Sequence, residues 1–164
     1  MQKILNKKDI DQKITRLAHQ IIENTFKIEH LFIGGITGNG EILAEEITKI
    51  IKSNSNQKIT NFSISLNKNE PWSESIELSI PQNVLKHGYI LLVDDVLNSG
   101  KTMQYALIKL LEQATIAIKT VALVDRQHRR YPIKADFVGL SLSTTLKERV
   151  TIDLSNENKT AYLV

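Results

Sequence analysis

Apolar residues recur along this chain in two rhythms. Ile10, Ile14, Leu17, Ala18 and Ile21 follow one another at steps of three and four, which puts them on one face of a helix running to about Asn24. Asn6 or Asp9 can supply the side-chain oxygen that caps its first turn. Ile42, Leu43, Ile47, Ile50 and Ile51 define a second helix in the same way, and Thr102 to Ala114 predicts a third. Between them lie strand-like stretches. His30 to Ile33 is short, and Lys58 to Leu66 alternates. Tyr89-Ile90-Leu91-Leu92-Val93 is an unbroken apolar run, the pattern of a strand covered on both faces and therefore of a parallel sheet. Thr120 to Val124, Phe137 to Leu142 and Val150 to Leu154 predict further strands. Asn67 to Gly88 reads as a long polar connection holding two of the three Pro and the only Trp, and the last ten residues carry little pattern. Strands alternating with helices predict an α/β chain.

Composition narrows the class only a little. With 164 residues, 41% hydrophobic and 24% charged, the chain fits one domain with a sizeable core, residues 1 to 164. No apolar stretch approaches a membrane span, and Met1 to Lys8 lacks the apolar centre of a secretion signal, so the expected location is cytoplasmic and no membrane partner is expected. The absence of Cys excludes disulfides and thiolate metal sites. A net charge of +3 permits a nucleic-acid partner without requiring one.

Chemistry concentrates where the apolar run meets Asp94 and Asp95. In open parallel sheets ligands bind beyond the carboxyl ends of strands, which is where this pair falls. The turn Asn98-Ser99-Gly100-Lys101-Thr102 then offers backbone N–H groups, hydroxyls and one ammonium at a helix start, a setting that receives a phosphate. The plainer alternative is an acidic pair in a loop followed by an ordinary cap at Asn98 or Ser99. A P-loop is excluded because Asp95 stands where its first Gly belongs, and no G-x-G-x-x-G can be fitted here or at Gly34 to Gly40. A receiver domain is excluded because too little chain follows Asp95. Carboxylates for sugar hydroxyls beside a turn for a phosphate point to a ribose 5-phosphate ligand.

Ile90 to Thr102 resembles the phosphoribosyl-pyrophosphate (PRPP) motif of type I phosphoribosyltransferases: four apolar residues, Asp-Asp-Val-Leu, then a hydroxyl-Gly-x-Thr turn. Ser99 replaces the usual Thr and keeps the hydroxyl. Val124 to Gly139 resembles the matching segment of the bacterial pyrimidine-operon attenuator and uracil phosphoribosyltransferase family. Thr15 to Glu23 is similar to that family's first helix, Ile64 to Leu66 to its second strand, and Ser143 to Thr145 to its Pro-Thr-Ser. The resemblance implies a type I phosphoribosyltransferase fold: a mostly parallel twisted sheet flanked by helices, with a mobile lid loop and a small hood.

It also implies roles. Asp94 and Asp95 would hold the ribose hydroxyls, Asn98 to Thr102 the 5′-phosphate, and Gly35, Ile36, Thr37, Gly38, Asn39 and Gly40 the pyrophosphate. Val124, Asp125, Arg126 and Phe137 would lie at the base, read largely through backbone groups. Mg²⁺ would arrive with PRPP and bound water rather than in a dedicated protein cage. Two departures stand out. Thr37, Gly38 and Asn39 occupy positions where the family has Lys, Thr and Arg, so two cations facing pyrophosphate are missing. In the lid, Asn67-Lys68-Asn69-Glu70 replaces Tyr-Arg-Asp-Asp, so Lys68 keeps a charge as a catalytic candidate but loses the guanidinium fork. Trp72 either covers the site or anchors packing.

Two basic clusters match positions through which the attenuator family binds messenger RNA. Thr15, Arg16 and His19 lie opposite the apolar stripe of the first helix, near Lys8 and Gln12; His128, Arg129 and Lys134, with Arg126 and Arg130, follow Val124. By pattern alone both are equally solvated surface. The expected activity is uracil plus PRPP giving UMP and pyrophosphate, in a homodimer or higher homo-oligomer. The alternatives are a nucleotide-sensing RNA regulator with little catalysis, or a transferase for another base.

Overall fold

A computed structural model of the chain describes residues 1–145 and 147–164. Its elements in order are β1 (Gln2–Leu5), α1 (Lys7–Thr25), β2 (His30–Ile36), α2 (Asn39–Asn54), β3 (Lys58–Ser65), β4 (Glu77–Leu78), a 3-10 turn (Gln82–Leu85), β5 (Tyr89–Leu97), α3 (Lys101–Leu110), β6 (Ala117–Asp125), β7 (Phe137–Ser141), β8 (Val150–Asp153) and β9 (Thr160–Leu163). Six strands form the main sheet in the order β4-β3-β2-β5-β6-β7, all parallel except the short β4. The α/β architecture and mostly parallel sheet follow the sequence expectation.

The apolar run of β5 lies at the centre, flanked by β2 and β6, and its side chains alternate between two cores. Leu91 and Val93 join α1 and α2 on one face, with Leu17, Ile21, Leu43 and Ile47. Ile90 and Leu92 face Met103, Ala106 and Leu110 of α3 on the other. Burial on both faces is why the run shows no polar alternation. α1 begins with a reciprocal cap: the Asn6 side chain accepts from the Asp9 N–H at 2.9 Å, and Asp9 accepts from the Asn6 N–H at 3.0 Å. Both cap candidates therefore act together.

Several boundaries differ from expectation. β2 runs on through Gly34, Gly35 and Ile36, so the glycine-rich loop shrinks to Thr37 and Gly38. Gly34 continues the strand because the Phe62 ring fills the space of a side chain; a Cβ there would stand 2.4 Å from Cζ. β5 likewise contains Asp94 and Asp95 rather than ending before them. α3 stops at Leu110, where the Leu111 N–H turns back to Leu107 O. The long connection holds β4 and the 3-10 turn. The last ten residues, which carried little pattern, supply β9, which pairs with β1, and the two join β8 in a second, antiparallel three-stranded sheet. This small sheet forms the hood. Among the described residues, no helix is long and apolar enough to cross a membrane.

Candidate active site

The carboxyl end of β5 places both aspartates at the edge where β2, β5 and β6 finish. Asp94 pairs in register with Ala122 of β6 and is 5% exposed, and its Oδ1 accepts the N–H of Asp95 at 2.9 Å. Burial, and secondarily the neighbouring Asp95 charge, push its carboxyl up to about 8, against a smaller downward pull from Lys68. Asp95 is more open. Its Oδ1 accepts the Val96 N–H at 2.8 Å and its Oδ2 accepts the Asn39 side-chain amide at 3.0 Å. With Asp94 holding its proton near neutrality, the two adjacent carboxyl groups are prepared to receive sugar hydroxyls, or a cation that would displace that proton.

Three residues, Asn98, Ser99 and Gly100, turn the chain sharply from β5 into α3. Gly100 has φ +88°, and a Cβ there would lie 2.5 Å from Ile133 Cγ2, so both backbone and space require glycine. Gly100 at the N-cap has no side chain to cap α3, and the Ser99 hydroxyl accepts only the Lys101 N–H, at 3.3 Å. The N–H groups that follow Lys101 therefore face the turn with the positive end of the helix dipole behind them. Lys68, Asp94, Asn98, Ser99, Gly100, Lys101 and Thr102 line one cavity of about 200 Å³. The structure thus brings together the ribose, phosphate and lid candidates.

The expected pyrophosphate stretch is built differently from a loose loop. Gly35 is in β2, where a Cβ would stand 2.7 Å from Glu41 Cα, so its absence lets α2 start close against the strand. Gly40 makes the same approach to Val93 O and Asp94 Oδ1. Ile36 is fully buried on the α3 side. Thr37 donates its N–H to Ile64 O at 3.0 Å, and Gly38 has φ +95°. Asn39 begins α2 and reaches both Asp95 and, at 2.8 Å, Ile152 O of the hood.

The base candidates lie at the end of β6, just after it and at the start of β7. Val124 is fully buried and Phe137 is 7% exposed, and both belong to the α1 and α2 core, so neither side chain is available to a base. Arg126 is spent internally: it donates to Asn98 Oδ1 at 3.0 Å, Thr144 Oγ1 at 3.1 Å, Thr145 O and Glu148 O. Asp125 accepts the Gln127 N–H at 2.8 Å and Arg129 at 2.6 Å. Arg129 also donates to Asn98 O at 2.7 Å and Ile133 O at 2.8 Å, while Arg130 and Tyr131 send their N–H groups to Ser99 O. The segment 126–133 is a brace on the turn 98–102.

The second basic cluster is therefore divided. Arg129 is bound inward and His128 meets Thr144, whereas Arg130 and Lys134 are exposed. On α1, Lys8, Gln12, Thr15, Arg16 and His19 are all exposed, as the helical stripe predicts. The lid closes on the turn: Lys101 Nζ donates to Asn69 O at 2.9 Å and stands 5.8 Å from the centre of the Trp72 ring, which leans on Tyr105. The bracing partners Thr144 and Glu148 and the Ile152 carbonyl were missed in the sequence, since no local pattern marks them.

A model of the phosphoribosyl transferase domain matches residues 1–152. The chain is 34% identical to the Bifunctional protein PyrR of Corynebacterium efficiens, covering 92% of this chain and 84% of that one. It is 33% identical to the Bifunctional protein PyrR of Staphylococcus haemolyticus, covering 94% and 93%. Among solved structures it is similar to a hypoxanthine-guanine phosphoribosyltransferase from Bacillus anthracis, with TM-score 0.77 and 19% identity over 100% of this chain and 98% of that one. A hypoxanthine phosphoribosyltransferase of Trypanosoma cruzi gives TM-score 0.77 at 14% identity over 98% and 95%. At these identities the structural likeness carries the fold alone.

Proposed function

Because the chain belongs to the phosphoribosyl transferase domain family, we propose that it joins the 5-phosphoribosyl group of PRPP to uracil, giving UMP and pyrophosphate, with residues 1 to 164 acting as one domain. One observation carries this reading: Asp94, the first of the two adjacent carboxylates, lines the same cavity as the Gly100 turn and Lys68. The base nitrogen forms its bond to C1 as the C1–O bond breaks, pyrophosphate leaves with the electron pair, and the ring N–H proton passes to solvent. Positive charge develops on the ribose meanwhile. Holding the phosphate in the turn and the hydroxyls on the aspartates aligns the two ends, and such orientation contributes on the order of 7–11 kcal/mol. The Asp95 carboxyl beside the ring favours the developing positive charge.

Mg²⁺ enters as part of the substrate, chelated by pyrophosphate. Among the described residues no cluster of three or more His, Cys, Asp or Glu could hold a metal ion. Two carboxylates on one edge fit an ion that keeps its waters and takes its remaining ligands from PRPP. Uracil is favoured by the likeness of Val124 to Gly139 to the attenuator family. Incubating the protein with PRPP, Mg²⁺ and each nucleobase in turn tests the proposal by pyrophosphate release: uracil should be the preferred base, and release with a purine alone would replace it.

A second reading rests on the exposed α1 face and the relatives named PyrR: a uridine-nucleotide-responsive RNA-binding regulator of pyrimidine genes. Lys8, Gln12, Thr15, Arg16 and His19 offer hydrogen-bond donors with no aromatic side chain among them, so recognition would rest on phosphates and loop shape. Binding to a pyrimidine-leader RNA that strengthens with UMP supports it. Equal, steeply salt-dependent binding to every RNA overturns it.

A further inference from the structure

Asn39 stands at the first position of α2, and an Asn there commonly turns its side-chain oxygen onto a nearby backbone N–H. Here its Nδ2 leaves the helix, donating to Asp95 Oδ2 at 3.0 Å and to Ile152 O at 2.8 Å. Both partners are acceptors only, so the chemistry of the pair sets the amide orientation: the nitrogen must face them. With Val96 N–H on Oδ1, each oxygen of Asp95 then has one fixed donor, and the plane of the carboxylate is held. The remaining lone pairs are what Asp95 can offer to a ligand. The second proton of the same amide belongs to the hood, on β8, so one side chain joins three structures: the start of α2, the end of β5 and the small sheet.

We propose that Asn39 is a positioning residue, setting the orientation in which Asp95 meets the ribose hydroxyls and tying that orientation to the position of the hood. This rests on the reading of Asp95 as a ribose ligand. It also gives a physical sense to the residue found where a longer cation stands in the resembling family. An Arg at this position would reach past the carboxylate, whereas the short amide stops at it. Asn39→Arg is therefore expected to disturb Asp95 before it adds anything to pyrophosphate binding.

The test uses two ligands and two variants of the full chain. Ribose 5-phosphate meets both the turn and the carboxylates, whereas inorganic phosphate meets the turn alone. By calorimetry, Asn39→Leu, which keeps the size and removes both donors, should weaken ribose 5-phosphate by about tenfold or more, the usual effect of losing a hydrogen bond to a charged group. Inorganic phosphate should bind as in the wild type, and the melting temperature should move little. Asn39→Gln, which keeps the amide on a longer arm, should recover part of the loss. Equal affinity of the wild type and Asn39→Leu for ribose 5-phosphate would overturn the inference, as would an equal loss for both ligands, or a Gln variant as poor as the Leu variant. A wild-type chain that binds phosphate but gains nothing from the attached ribose would instead remove the ribose reading of Asp95 itself.

Discussion

At the scale of single residues, Asp94 has the largest consequence. Folded, it keeps its proton up to about pH 8, against 3.8 for the unperturbed group. Between those values the folded chain binds a proton that the unfolded chain has released, so folding is favoured by low pH. That contribution is complete below the unfolded value and is lost as pH rises through about 8. Asp94→Asn removes the titration while keeping the shape. Its melting temperature should therefore gain on the wild type steadily from pH 5 to pH 9, and parallel curves would show that the burial of Asp94 carries no such linkage. Gly100→Val faces both a positive φ and the Ile133 methyl. It should cost about 1–3 kcal/mol of stability in denaturant titration and abolish phosphate binding at the turn. Wild-type phosphate affinity in this variant would remove the turn as the 5′-phosphate site. Residues of this kind were legible in the sequence because their signal is local: two acids at the end of an apolar run, then a glycine. The commitments of Arg126 and Asn39 were not, since Thr145, Glu148 and Ile152 are distant in the sequence and enter through the hood side of the fold.

At the scale of elements, the two basic clusters part company. Arg129 lies between the phosphate turn and Asp125, with its guanidinium bonded on three sides, while Arg16 stands on the open face of α1. Arg129→Ala should consequently lower the melting temperature and weaken ribose 5-phosphate, because Asn98 O and Ile133 O lose a charged donor, an effect of about 1.5–3 kcal/mol. Arg16→Ala should leave both unchanged and lower RNA affinity only. A variant at Arg129 that loses RNA binding while keeping its stability and its phosphate affinity would restore that residue to the recognition surface. The sequence pattern placed α1 and its two faces well, because a 3.6-residue period over nineteen residues leaves few alternatives. It misjudged β2 at Gly34 and Gly35, because glycine usually interrupts a strand, and here it admits the Phe62 ring and the first turn of α2.

At the scale of the whole molecule, the main sheet could be read from the chain, and of the hood only β8, which falls on the strand expected at Val150 to Leu154. β1 and β9 have four residues each, too few to establish a period, and they pair across nearly the full length of the chain. What holds them is packing, with Leu5, Ile152 and Ala161 buried against α1 and α2. A Lys159 ammonium adds to it by meeting Asp11 at 2.7 Å and Glu46. Removing residues 160–164 should therefore leave the helices and main sheet in place by circular dichroism while lowering ribose 5-phosphate affinity by about tenfold, since the Ile152 partner of Asn39 would lose its support. Unaltered affinity would separate the hood from the site.

The pairing of β1 with β9 also imposes an order in time. The main sheet contains its last strand once residue 141 has been made, but the first strand of the chain has no neighbour until residues 160–163 exist. At about 5–20 residues per second, translation needs roughly one to four seconds more to supply that neighbour. During that interval the nascent chain already carries Asp94, Asp95 and the Gly100 turn, yet Asn39 has no finished hood to bind. On the proposed assignment, the turn that would hold a phosphate is therefore made before the contact that would orient Asp95 toward the attached sugar.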